Sequence, residues 1–226
     1  MVLVLVAAVL LILAFGEAGN MAMSPSDQSL EESPDVANVD DGLPERGDRL
    51  IGTIGAVVIT KSDLATLDGF FPWKDKYDSL IYYLANTRYR LLDPVLVKAI
   101  MFRESSFNPN AVRVESRIND KSIGLMQILT MTARWVAPFR ELSQTQIEHK
   151  LYDPITNTDI GMKYLTYQIG RYGRSSDEEI DKVIAAYNAG TARFNRDGVL
   201  LNNKYVVNVR GAMRVFADDF PPLQRA

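Results

Sequence analysis

The chain has 226 residues, 47% of them hydrophobic and 9% aromatic, which is material for one well-buried domain of ordinary size plus appendages. It has no cysteine, which excludes disulfides, thiolate metal sites, cysteine nucleophiles and a lipid-modified N-terminal cysteine, and its one histidine, His149, leaves neither a His-rich metal cluster nor a Ser-His pair. The net charge of −3 is unevenly held: residues 1 to 67 carry 3 basic and 10 acidic side chains and residues 68 to 226 carry 22 and 18, a mild cationic excess that suits an anionic polymer such as a cell wall and does not suggest nucleic acid.

Val2 to Phe15 is an unbroken apolar run, followed by Gly16-Glu17-Ala18, with small residues at the minus-three and minus-one positions of a cleavage after Ala18. A spanning helix needs about 20 apolar residues, and no Lys or Arg precedes this run, so residues 1–18 are expected to be either a signal peptide or a short membrane anchor. A buried N-terminal helix is the plainer alternative. An exported protein of the periplasm or cell envelope follows from the first two readings. From Asn20 to Arg49 the composition shifts to Ser, Pro, Asp and Glu with almost no aromatic content, the signature of a disordered acidic linker. Leu50 to Thr60, LIGTIGAVVIT, is β-branched and too short to cross a membrane, and is expected to be a strand or a segment packed on the domain. Together these make residues 19–68 a linker with a short apolar segment.

After Pro72 the pattern is helical. Tyr77, Leu80, Ile81 and Leu84 fall on one face of a helix from about Lys74 to Arg90. Asp93-Pro94 supplies a cap and a first-turn proline for a second helix, which closes at Glu104. Asp153-Pro154 opens another, through Ile160, Tyr164, Leu165 and Ile169 to Gly170 or Gly173. Ser176-Asp177-Glu178-Glu179 has the form of a capping box and starts a helix running to Gly190; a last helix covers Asn203 to Phe216. No alternating strand pattern and no internal repeat is visible in this part. The expectation for residues 69–226 is a mostly α-helical bundle, with His149 as an exposed loop residue.

Three islands stand in order along it: Met101-Phe102-Arg103-Glu104-Ser105-Ser106-Phe107-Asn108-Pro109, Gly124-Leu125-Met126-Gln127, and Ala186-Tyr187-Asn188-Ala189-Gly190. A carboxyl that protonates a poor leaving group near neutral pH needs surroundings that raise its pKa, and Glu104 ends a strongly apolar helix between Phe102 and Phe107. Gly124 permits tight backbone geometry, while Met126 and Gln127 have the means to offer a contact surface and an amide donor to a sugar or its peptide stem. Read alone, the second island is a turn before a core helix, and the third a small-residue seam with a glycine cap.

In their order and content, the islands resemble the soluble lytic transglycosylase family of lysozyme-like enzymes, from about Phe71 to Phe216. Asn157, Gly161, Tyr164, Leu165, Tyr205, Val206 and Val209 match as well. The resemblance implies a lysozyme-like helical fold acting as a monomer on the peptidoglycan glycan strand, without metal or cofactor. It also implies Glu104 as the catalytic group, a groove wall from Gly124, Met126 and Gln127, a Tyr187 hydroxyl pointing at Glu104, and Asn188 holding the local backbone. Relatives often carry a serine nine residues after the Glu, where this chain has Arg113. Arg113, Arg117 and Lys121 are candidates for peptide carboxylates and equally for a solvated loop.

Glycoside hydrolases use two carboxyls. By resemblance, one suffices here: Glu104 protonates the departing oxygen and then takes the proton of the muramyl 6-hydroxyl, which closes a 1,6-anhydro ring. Goose-type lysozymes share the Gly-Leu-Met-Gln turn but carry acids just before it and two residues after it; Asp120 is available for the first place, whereas the second is Leu129. The expected activity is therefore lytic cleavage of the MurNAc-GlcNAc β-1,4 bond. The alternatives are a muramidase hydrolysing that bond and a non-catalytic wall-binding or assembly protein.

Overall fold

A computed structural model describes residues 75–223 and, before them, the backbone of two antiparallel strands, β1 (Leu50–Ile54) and β2 (Val57–Thr60). The strand expected between Leu50 and Thr60 is thus a hairpin, and β1 runs beside the long helix α5 introduced below. The expected signal or anchor segment and the rest of the acidic linker lie outside the described residues.

Seven helices follow among the described residues: α1 (Asp78–Thr87), α2 (Pro94–Ser105), α3 (Thr130–Val136), α4 (Gln144–Leu151), α5 (Pro154–Tyr172), α6 (Asp177–Ala189) and α7 (Asn203–Val215). The two Asp-Pro pairs act as their chemistry dictates. Asp93 Oδ1 accepts from the Val95 amide at 2.8 Å and Asp153 Oδ2 from the Thr156 amide at 2.8 Å, with proline at the first helical position, where its missing N–H costs nothing. At α6 only half of the predicted box forms: Ser176 Oγ accepts the Glu179 amide, but the Glu179 carboxylate turns to the Ser175 amide at 2.6 Å. The complete capping box belongs to α4, between Ser143 and Gln146. His149 is exposed as expected, but on α4 rather than in a loop.

The mostly helical bundle also holds a three-stranded antiparallel sheet that no alternating pattern announces, in the order β3 (Val112–Glu115), β4 (Asp120–Ile123), β5 (Ile128–Leu129). Its strands show no alternation because β3 is exposed along most of its length while β4 is buried almost throughout. The register places Arg113 opposite Ser122 and Glu115 opposite Asp120.

One core unites the helices and the sheet: Ile81, Leu92, Ile100, Ile123, Leu165 and Val183 are all without solvent exposure, and Val206 and Val209 of α7 close it from the other side. α2 packs on α7, α5 on α6 and α6 on α7, so α2 lies against the last helix. Lys98 of α2 is fully buried with its Nζ at 2.7 Å from Asp75, 2.8 Å from Asp78 and 2.7 Å from Asp219, tying the segments on both flanks of the bundle to one helix. No helix among the described residues is long and apolar enough to cross a membrane.

Candidate active site

Glu104 lies in the last turn of α2 and is half-buried. The chain reverses at once: Ser106 and Phe107 take positive φ of 51° and 63°, and successive left-handed residues without glycine are held only by their surroundings. Two contacts supply that hold. The Ser105 hydroxyl donates to the Leu125 carbonyl at 2.8 Å, and the Phe107 ring packs on Phe102 and Phe216 at centroid distances of 5.6 and 6.2 Å.

The Gly124–Gln127 turn sits against α5. Gly124 has φ 78°, and a Cβ on it would stand 2.3 Å from Asn157 Nδ2 and 2.6 Å from the Leu151 carbonyl oxygen. Asn157 is the clamp: its amide donates to the carbonyls of Ile123 and Leu151 at 2.8 and 2.9 Å, and its Oδ1 accepts from the Met126 amide at 2.8 Å. A Cβ at Gly161 would meet Met126 Sδ at 2.3 Å, so this glycine makes room for the Met126 side chain.

Three sequence expectations are corrected here. Gly124 and Met126, expected on the groove wall, are buried beneath it; the turn needs its glycine against Asn157, and Met126 fills the core beside Gly161. Gln127, expected as an amide donor to substrate, borders the groove but spends its Nε2 on the carbonyls of Ala111 and Gly124, both at 3.1 Å, because a tight turn leaves acceptors that must be paired. Tyr187, expected to direct its hydroxyl at Glu104, donates to the Met126 carbonyl at 3.0 Å instead. The hydroxyl on the acid is that of Tyr205, in the first turn of α7, at 2.6 Å from Glu104 Oε1.

Asn188 Oδ1 accepts from the Asn202 side-chain amide at 3.1 Å, and that amide also donates to the Ala185 carbonyl at 3.0 Å. This stitches the end of α6 to the start of α7 and so sets the height of Tyr205. Sequence reasoning noted Tyr205 only as a match. The burial of Val206, Val209 and Ala212 on one face of α7 was the available signal that Tyr205 borders the interior.

These elements enclose a cleft lined by Glu104, Arg113, Ser122, Gln127, Ile128, Leu129, Thr132, Tyr164, Tyr187, Asn188 and Gly190. Glu104 is the one carboxyl among them. Asp120, the candidate second acid, is buried under β5 and accepts from the amides of Lys121, Thr130 and Met131 at 2.7, 3.2 and 3.1 Å and from the Thr130 hydroxyl. It caps α3: three of these donors meet Oδ1 and the Met131 amide meets Oδ2. Ser122 stands directly across the ladder from Arg113, so a hydroxyl reaches the cleft from β4 although the serine frequent on β3 in relatives is absent. Two wider clefts share Asp93, Arg210 and Met213, but their carboxylates are committed: Asp93 caps α2, while Asp177 and Asp181 pair with Arg210.

Burial pushes the Glu104 carboxyl above its ordinary range; the Tyr205 hydrogen bond and the charges of Arg113 and Arg103 pull it back. Burial and the adjacent Glu104 push both Tyr187 and Tyr205 well above the usual phenol value. Tyr205 therefore stays a donor at any pH of interest. The arrangement is a single desolvated acid, steered by a phenol, beside a guanidinium, and it is fitted to hand over one proton and take one back.

A mostly helical, lysozyme-like domain with one half-buried acid in its cleft is the class that fold and site define. The family described as Transglycosylase SLT domain matches residues 82–204, more than half of the chain, and the chain belongs to that family. Two curated relatives from Histophilus somni, strains 2336 and 129Pt, both named membrane-bound lytic murein transglycosylase C, are 33% identical over 121 residues, 50% of this chain and 32% of each relative. The chain thus spans about a third of the length of those relatives.

Proposed function

We propose that this protein is a peptidoglycan lytic transglycosylase, with residues 69–226 as its catalytic domain and Glu104 as its catalytic residue. The observation that carries the reading is the solitary carboxyl. A hydrolase needs a second carboxyl to act as nucleophile or to activate water, within about 5 to 9.5 Å of the first. Among the described residues that line this cleft Glu104 is the one carboxyl; Asp120 accepts from the first turn of α3 and Glu115 is bonded to Arg113.

With one acid the atoms balance as follows. Protonated Glu104 gives its proton to the glycosidic oxygen as the bond from that oxygen to the muramyl anomeric carbon breaks. The resulting carboxylate takes the proton of the muramyl 6-hydroxyl as that oxygen bonds to the same carbon, leaving a 1,6-anhydro ring and regenerating the acid. Burial of Glu104 favours the protonated starting form, and the Tyr205 hydroxyl stabilises the carboxylate that exists between the two transfers. Tyr187 and Asn188 border the cleft as substrate contacts, Gln127 offers its carbonyl oxygen, and Gly124 and Met126 support the wall from behind. The relatives' names support an envelope location, and the apolar residues 1–18 with the acidic linker would tether the domain there.

Mass spectrometry of muropeptides released from purified cell wall tests the reading. Products lighter by one water and without a reducing end are expected; reducing muramyl ends alone would mean hydrolysis, and no release would mean a binding protein. Glu104→Gln is expected to stop release, since proton transfer alone is worth about 10²–10⁴-fold. Because the folded pKa of Glu104 is raised, its ionisation costs stability at every pH above the ordinary carboxyl range, so Glu104→Gln should be more thermostable than wild type at pH 7.

A further inference from the structure

Beyond Glu104, the one charged side chain in the cleft is Arg113. Its exposure would suit an idle surface residue, but its geometry does not. Arg113 and Glu115 project from the same face of β3, two residues apart, and Arg113 Nε donates to Glu115 Oε1 at 2.5 Å. Glu115 is in turn approached by the Ser122 hydroxyl at 3.4 Å, from the strand directly opposite. One edge of the guanidinium is therefore pinned to the sheet. Its two terminal nitrogens have no hydrogen-bond or ion-pair partner among the described residues. A guanidinium held by Nε with both Nη groups open is a planar fork of parallel donors, the shape that a carboxylate fills with two hydrogen bonds.

We propose that Arg113 is a carboxylate receptor, and that it selects glycan strands by the anionic substituent on the muramyl residue seated at Glu104. This rests on the transglycosylase reading of the same cleft. An amino-sugar backbone is neutral, so a carboxylate must come from what the muramyl lactyl ether carries: an acid group of its peptide stem or, on stripped strands, the lactyl carboxylate itself. The fork and the acid share one cleft, and the positive charge of Arg113 already acts on Glu104. A carboxylate seated on the fork neutralises that charge. Of the groups that face Glu104, Tyr205 from α7, Tyr187 from α6 and Arg103 on α2 keep their influence, while that of Arg113 is cancelled, so a correctly substituted strand shifts the acid toward the protonated form it needs.

The test uses the full chain, as wild type, Arg113→Gln and Arg113→Lys, on three substrates: strands with native stems, strands whose stem carboxylates have been amidated, and strands stripped of stems by an amidase. Thermal unfolding confirms that the variants are folded. Wild type is expected to lose about tenfold or more in kcat/KM on amidated strands, the scale of one charge-assisted hydrogen bond. Arg113→Gln should show the same loss on native strands, chiefly in KM, and no longer distinguish native from amidated; Arg113→Lys, a charge without the fork, should fall between. Stripped strands cut as well as native ones show that the freed lactyl carboxylate fills the fork in place of the stem's acid group, and stripped strands cut as poorly as amidated ones identify the stem's acid group as the ligand. An unchanged native-to-amidated ratio in Arg113→Gln overturns the proposal. The Kd of the Glu104→Gln protein for native and amidated strands, with and without Arg113→Gln, reads the same preference without catalysis. If no strand is cleaved but that preference is present and needs Arg113, the transglycosylase reading has failed and the receptor stands.

Discussion

The Tyr205 hydroxyl donates to Glu104 Oε1 at 2.6 Å, joining the first turn of α7 to the last turn of α2. This bond lowers a carboxyl pKa that burial has raised, and the net shift stays upward.

Removing it with Tyr205→Phe therefore has a signed effect. Without the hydroxyl the carboxylate loses its donor, and the Glu104 pKa rises further above the ordinary value. In the proposed mechanism Glu104 begins protonated, so activity falls as pH rises through its pKa. The alkaline limb of the pH profile should move to higher pH, while kcat drops on the order of tenfold because the carboxylate formed in mid-reaction is less stabilised. Tyr187→Phe, which breaks a bond to the Met126 carbonyl, should leave that limb much nearer its wild-type position. Profiles of kcat for the three proteins check this, and coincident limbs for Tyr205→Phe and wild type would count against the assignment.

Asp120→Asn separates structure from chemistry. An amide keeps one acceptor oxygen but loses the other, so the bonds to the Thr130 and Met131 amides cannot all survive. The variant should lose about 1–2 kcal/mol of stability, as for a damaged helix cap, measured by urea denaturation. The anhydro character of its products should be unchanged. A Tm equal to wild type together with abolished turnover would assign Asp120 the chemical role that the hydrolase alternative requires.

Lys98→Met tests what joins the flanks of the bundle. The substitution leaves Asp75, Asp78 and Asp219 facing one another without their cation, and two of the three carboxylates are buried. Breaking a buried pair on one side costs about 3–5 kcal/mol. Denaturation at neutral pH should show a loss of that order, partly recovered at low pH as the carboxyls protonate. Equal stability at both pH values would contradict the cage.

How much of this was legible beforehand depended on whether the deciding interaction is local. Asp93-Pro94 and Asp153-Pro154 announce α2 and α5 because caps act within three residues. The three islands fall at the last turn of α2, the Gly124–Gln127 turn and the end of α6. The sheet was invisible, since β3 and β4 alternate in neither exposure nor polarity and only their pairing, Arg113 on Ser122, makes them strands. The two short helices α3 and α4 were missed as well, although Ser143 and Gln146 carried the box signature more faithfully than Ser176 and Glu179. Inside the site, the error was a choice between tyrosines. Tyr187 belongs to a motif and Tyr205 does not stand out, yet which phenol meets Glu104 is decided by how α7 is hung from Asn202.

The same long span has a temporal consequence. Glu104 precedes its phenol by 101 residues, so during synthesis the acid is made well before the helix that tempers it. Until α7 docks, Glu104 lacks the donor that Tyr205 supplies, and the bond between the last turn of α2 and the first turn of α7 forms only when the last helix closes on the bundle.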